Sequence, residues 1–241
     1  MKNLFKLLLL SAFYFPVLKA QDTIPTHEEI TLEAYLKNDL SLWDQAIEQI
    51  KTLPPSLERS LLLAETAYGA AGTVFSEEDR TPAAAYLEIA QQELEAILEE
   101  DKQHASAHGL LSGVLGMCIA LDPNQGMRLG QLSGRHANKA LRFGSEDPTA
   151  LREAGGQLLY TPVQWGGDPE EGLELLQRAE SLYDKTLAGK DWRYLNTLTL
   201  LGQALSMTEQ KEAARSVYLR ALALQPDFTY VKYYLLPALD Q

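Results

Sequence analysis

Five groups of residues carry types that could do chemistry. His104-Ala105-Ser106-Ala107-His108 sets two imidazoles one helical turn apart, the spacing used by zinc-binding helices. No glutamate stands beside the first histidine to act as a base, and a third ligand would have to come from a residue such as Glu100. The pair therefore reads as the solvated start of a helix. Ser60, Ser112 and Ser133 lack the Gly-x-Ser-x-Gly turn that exposes a nucleophile after a strand. Gly126, Gly130 and Gly134 recur every fourth residue with no strand before them, so they make no dinucleotide fingerprint. The acid pairs Glu99-Glu100 and Glu170-Glu171 fall on polar faces or helix starts, where the macrodipole favours them. Cys118 stands among Leu111, Val114, Leu115, Met117 and Ile119 with no cation nearby; it is expected to be a buried hydrophobe rather than a reactive thiol. The expectation is a protein that is not an enzyme and needs no metal or cofactor.

Binding is better represented. Tyr160 and the segment Thr161-Pro162-Val163-Gln164-Trp165-Gly166-Gly167 place a polar amide and the largest aromatic side chain between a proline and two glycines. Loops on rigid scaffolds are common binding positions, and Trp is strongly enriched among hot spots. Tyr160, Gln164 and Trp165 are accordingly the candidate binding residues. The competing reading has Trp165 packing its own turn onto the next hairpin. Tyr230, Tyr233 and Tyr234 crowd one short segment, too many for a single buried face.

The elements that position these residues are helices. Apolar residues recur at helical spacing from Gln21 onward, without a useful alternating run, so the fold class is all-α. In the block from Leu195 to Phe228, Leu198, Leu201, Gly202, Leu205, Ala214, Tyr218, Ala221 and Pro226 outline two helices in close approach, stopped by proline. Gly156, Gly172, Leu176 and Ala179 repeat the pattern with four extra residues at the 161–167 loop. Gly113, Ser133, Ala137 and Ala140 repeat it with eight extra around Leu121–Gly126. A looser copy runs from Ser56 to Glu100, and Trp43, Ala46 and Ile50 mark a degenerate first hairpin. At Gly166-Gly167-Asp168-Pro169-Glu170-Glu171, positive-φ glycines, a capping Asp and a capping-box Glu announce a helix start. The small, large and terminal-proline order resembles the tetratricopeptide repeat (TPR).

From about Ala85 to Pro237 the chain resembles exported bacterial TPR proteins with long, irregular repeats. The resemblance is carried by Thr161–Pro169 with Leu173, Leu176 and Ala179, by Trp192 with Leu200-Leu201-Gly202, and by Pro226-Asp227-Phe228 with Val231, Lys232 and Leu235-Leu236-Pro237. The Gly-Gly-Asp turn is also similar to one in the TPR subunits of TRAP-type transporters. The resemblance implies an α-solenoid of about four hairpins with a C-terminal capping helix, whose concave groove takes a protein or peptide partner. The alternative is a solute-binding accessory of a transport system.

Composition bounds the partners and the location. The chain has 241 residues, 46% hydrophobic and 22% charged, and a net charge of -12, which disfavours nucleic acid. Lys2 and Lys6 precede an apolar run from Leu7 to Phe15 that ends near Ala20, the layout of a secretory signal peptide. The run is shorter than the roughly 20 residues of a spanning helix, so no stable membrane insertion is expected after cleavage. Loss of Lys2, Lys6 and Lys19 would leave 18 bases against 33 acids, a net of -15. The expected organisation is a signal peptide over 1–20, an N-terminal hairpin over 21–55 and a TPR-like domain over 56–241, periplasmic or secreted.

Overall fold

The computed structural model describes residues 25–75, 78–187 and 190–241; the expected leader lies outside them. Among the described residues there is no strand. Helices pair in sequence order: α1 (His27–Lys37) with α2 (Leu40–Lys51), α3 (Leu57–Val74) with α4 (Ala83–Glu100), α5 (Ala105–Leu121) with α6 (Gly126–Phe143), α7 (Pro148–Tyr160) with α8 (Pro169–Leu187), and α9 (Trp192–Met207) with α10 (Lys211–Leu224). A π-helical turn, Val231–Leu235, and a short α11, Leu236–Ala238, close the C-terminal end. Phe228, Val231 and Leu239 are buried there, so the segment covers the last hairpin as a solenoid cap must.

Local signals set the boundaries. Thr26 and Glu29 form a reciprocal capping box at α1, and Ser56, Asp147 and Asp191 each cap the following helix with a side-chain oxygen. Pro148 and Pro169 occupy first helical positions. Asp168 accepts from the amides of Glu170 and Glu171 at 3.1 Å. The expected return arm from Glu171 is replaced, because the Asp168 amide donates to the Leu158 carbonyl at 3.1 Å and ties the loop to α7.

Small residues fix the crossings, in a register that corrects the sequence reading. A β-carbon at Gly202 would lie 2.1 Å from the Tyr218 ring, so α9 and α10 meet through Gly202 and Tyr218, with Ala214 buried beside them. In the preceding hairpin the close approach uses Gly155, where a β-carbon would stand 3.0 Å from the Gly172 carbonyl, whereas Gly156 meets only Leu200 at 3.9 Å. One hairpin earlier, Ser112 and Ser133 exchange buried hydrogen bonds at 3.0 Å across α5 and α6. Gly113 instead leaves room for Tyr68 and Glu153. In both repeats the true contact lies one residue earlier than spacing suggested, so each inserted loop is one residue longer.

The solenoid also closes on itself. Leu32 and Tyr35 of α1 pack against both the N-terminal and the C-terminal hydrophobic clusters. The Tyr35 ring sits 5.6 Å from Trp192 and 5.2 Å from Phe228, and Trp43 meets Trp192 edge-on at 5.2 Å. The Thr229 hydroxyl donates to the Leu36 carbonyl at 2.9 Å. The first hairpin thus bridges to the last.

Candidate functional site

Tyr160 ends α7, and the loop beyond it carries Gln164 and Trp165 in a single 3-10 turn, Val163–Trp165. Gly166 has φ +94°, and a β-carbon at Gly167 would fall 1.7 Å from the Thr161 carbonyl oxygen. The two glycines therefore serve different needs: the first supplies the left-handed turn, the second a close backbone approach. This rigid hairpin holds Trp165 70% exposed and Val163 71% exposed, with Gln164 also exposed. A β-carbon at Gly126 would lie 3.8 Å from Trp165 and 3.7 Å from Ile119, so Trp165 borders the preceding hairpin. Met127, 85% exposed, follows Gly126. The two loops that interrupt the repeat pattern are neighbours, and each exposes large apolar side chains. Tyr160 turns the other way: its hydroxyl donates to Gln203 Oε1 at 2.8 Å. The structure therefore separates the three candidate residues, Gln164 and Trp165 at the outer loop and Tyr160 toward α9.

The histidines take roles unlike those of a metal site. His104 is the cap of α5, its Nδ1 accepting from the Ala107 amide at 3.3 Å. His108 turns away from it to His136, with Nδ1 to Nδ1 at 2.9 Å, and its Nε2 lies 3.1 Å from the Lys102 carbonyl. A carbonyl accepts, so Nε2 of His108 carries the proton and His136 Nδ1–H donates to His108 Nδ1. Among the described residues no group of three His, Cys, Asp or Glu side chains could hold a metal. Burial holds both imidazoles below their ordinary value, and it takes His136, with the neighbouring His108, down to about 4. Cys118 is half-buried rather than enclosed, and burial pushes its thiol up.

Charged side chains are buried between the helices. Arg152, fully buried, donates from Nε to Glu153 at 2.8 Å and from Nη1 to the Tyr183 hydroxyl at 2.9 Å. Tyr68 of α3 reaches the other Glu153 oxygen at 3.0 Å, and Tyr183 meets Thr149 at 3.0 Å. Arg193 bonds Glu65 at 2.8 Å and also grips Asp191. Burial raises the Glu153 carboxyl above the usual range, against the pull of Arg152. These groups join α3, α7, α8 and α9. Sequence reasoning missed them, because Arg152 and Glu153 are sequence neighbours whose partners lie 31 and 85 residues away.

An open groove of about 580 Å³ runs along α4 and α5, floored by Ala84, Leu87, Leu121 and Cys118. Its polar rim is largely self-satisfied: Gln91 bonds Glu95, Gln92 bonds Glu88, and Gln125 bonds Asp122.

Comparison with known proteins agrees with this architecture. Residues 163–227 match the tetratricopeptide repeat family. A comparison with curated proteins gives no match. The HusA haemophore from Porphyromonas gingivalis is similar in structure, with a TM-score of 0.57 at 17% identity, covering 76% of this chain and 92% of its own. A thermophilic TPR protein of Thermus thermophilus is similar with a TM-score of 0.52 at 15% identity, covering 89% and 98%. Identity this low speaks for the fold alone. Among the described residues the chain is an all-helical, TPR-like solenoid, and the family match spans α8, α9 and α10 with the loop that precedes α8.

Proposed function

We propose that this is an exported, non-catalytic TPR-type protein that binds or scaffolds another protein in the periplasm or outside the cell. The observation that carries this reading is the apolar patch of Val163, Trp165 and Met127, held in the open by a hairpin whose glycines and Asp168 anchor leave it little freedom. Exposed apolar clusters on a rigid support mark interaction surfaces. The strongly acidic chain favours a partner with basic residues around its apolar contact. Replacing Trp165 with a photo-crosslinking phenylalanine in the native cell tests it, with Glu99 as the control position. One dominant protein adduct from position 165 and none from position 99 is the expected result. Identical adduct patterns from both positions would overturn the reading.

A solute-binding accessory of a transport system is the second reading. The groove along α4 and α5 favours it, as does the shared fold with a haemophore. Spectrophotometric titration with haemin decides between them: a saturable absorbance change at one equivalent supports the solute reading, and an unchanged spectrum removes it.

A further inference from the structure

The outer face of α6 carries a charge opposite to that of the rest of the chain. α6 holds Arg128, Arg135, Lys139 and Arg142 and no acid, +4 within a chain of -12, which leaves -16 on the other residues. All four bases are exposed. Arg128, Arg135 and Arg142 stand seven residues apart, and Lys139 lies one turn from each of the last two, so the four form one stripe about 21 Å long. α5 and α7 pack on each other and α6 lies against both, with its stripe turned to solvent. The fold gains little from this arrangement. Arg135 with Lys139, and Lys139 with Arg142, are like charges on adjacent turns, which repel. Arg128 adds a cation to the first turn, where the helix dipole is already positive; Arg142, in the last turn, does gain from the dipole. Lys37, Lys51, Arg215 and Arg220 on other helices pair with acids, whereas among the described residues none of the four on α6 forms an ion pair. Arg128 donates instead to Gln125 Oε1 at 3.0 Å, and the Arg142 guanidinium rests 5.7 Å over the Phe143 ring. Cations set side by side with no acid of their own chain call for an anionic ligand outside it.

We propose that the outer stripe of α6 docks an acidic, extended segment of a partner protein. The narrowness of the positive surface selects this occupant. The second helices of the hairpins before and after are acidic outside, with Glu88, Glu95 and Glu99 exposed on α4 and Glu170, Glu171 and Glu174 on α8. α8 is held beside α6 by Arg178, which donates to the Ser145 carbonyl at 2.7 Å, and by the shared apolar cluster of Ala137, Leu175 and Ala179. An anionic membrane plane would press on those carboxylates as well as on the stripe. A single extended chain can lie along α6 alone, and about six or seven of its residues span the stripe. Between the bases the exposed residues are Gln131 and Asn138, amides that can bond a peptide backbone but offer no apolar anchor. Screening confines attraction to about 8 Å at physiological ionic strength, so carboxylates laid on the stripe answer to it more than to the net charge. The proposal goes beyond the protein-binding reading above: a basic-flanked partner at the 161–167 loop and an acidic one on α6 are two chemistries on two surfaces, which lets one chain join two partners.

The test uses the mature chain and a fluorescent peptide of about eight glutamates, long enough to cover the stripe, with anisotropy read at low salt. The expected dissociation constant is on the order of 10–100 µM, and Arg135→Gln, Lys139→Gln and Arg142→Gln together should weaken it about tenfold or more. Lys51→Gln, Arg80→Gln and Lys232→Gln together change the net charge equally at exposed sites elsewhere, and should weaken it less than about twofold. Glutamine is a good helix former and the α6 substitutions remove like-charge repulsion, so an undiminished melting temperature verifies folding. Trp165→Ala leaves peptide affinity unchanged. No binding up to about 1 mM overturns the proposal. So does an equal loss in the two triple variants, or equal affinity for a polyglutamine peptide of the same length. Sedimentation with phosphatidylglycerol vesicles that the α6 variant abolishes would assign the stripe to lipid and overturn it as well. If the peptide fails while position 165 still captures a partner, this inference falls and the protein-binding reading stands; if position 165 alone fails, the reverse holds.

Discussion

Single residues decide the register of this solenoid, and glycines report it most directly. Gly155 and Gly156 are neighbours in one helix, yet a side chain at the first would press into Gly172 and Leu176, and at the second would touch only Leu200 at ordinary distance. Gly155→Ala should therefore destabilise by about 1–3 kcal/mol through overpacking. Gly156→Ala should be neutral or stabilise by up to about 1 kcal/mol, since alanine is the better helix former. Urea unfolding of the two variants checks the pair, and equal midpoints would show that the crossing does not run through Gly155. Spacing could not separate these glycines, because both satisfy a small-residue pattern. What distinguishes them is which face α8 approaches, a property of two helices at once. The exposure of Trp165 was equally hidden: the sequence marks an aromatic in a constrained loop, but its neighbour Gly126 is 39 positions away. The helices themselves were legible, since caps, prolines and apolar period act locally.

At the scale of elements, α5 and α6 are joined by polar rungs rather than by an apolar seam alone: Ser112 with Ser133, and one turn away His108 with His136. The histidine rung makes the hairpin sensitive to acid. Both folded-state values lie below the ordinary histidine value of about 6.5, so the unfolded chain takes up protons first as pH falls. Stability is complete above about 6.5 and is lost down to about 4, where His136 itself titrates. Protonated His108 would point a second N–H at the His136 donor, while Lys139 and Arg135 add like charge to His136. Replacing His136 with Gln should flatten this part of the profile by about 2 kcal/mol, allowing for the partial exposure of the ring. Melting temperatures of the two proteins from pH 7.5 to 4 measure it. Parallel curves would mean that the imidazole pair does not control acid stability. The sequence presented His104 and His108 as the pair, since both fit one face of one helix. The true partner came from α6, and only the hairpin crossing could reveal it.

For the whole molecule, the consequence of closure is that the two ends are not independent. An open solenoid couples each repeat only to its neighbours, but here α1 lies against α9 and the cap through Tyr35, Leu36 and Thr229. The buried network of Arg152, Glu153, Tyr68, Tyr183 and Glu65 adds polar ties between α3, α7, α8 and α9. Closure also predicts long-range behaviour in mutants. Tyr35→Ala removes a partly buried ring that contacts both Trp192 and Phe228, and should cost about 2–3 kcal/mol, below the range for a fully buried aromatic. Tyr35→Phe keeps the ring and gives up only two long hydrogen bonds, at a cost of about 1 kcal/mol. The informative measurement is hydrogen exchange in the alanine variant. If the ends are coupled, amides of α9 and of residues 228–232 lose protection together with those of α1, although the substituted residue lies more than 150 positions before them. Loss confined to α1 would mean that the first hairpin merely rests on a solenoid that is stable without it.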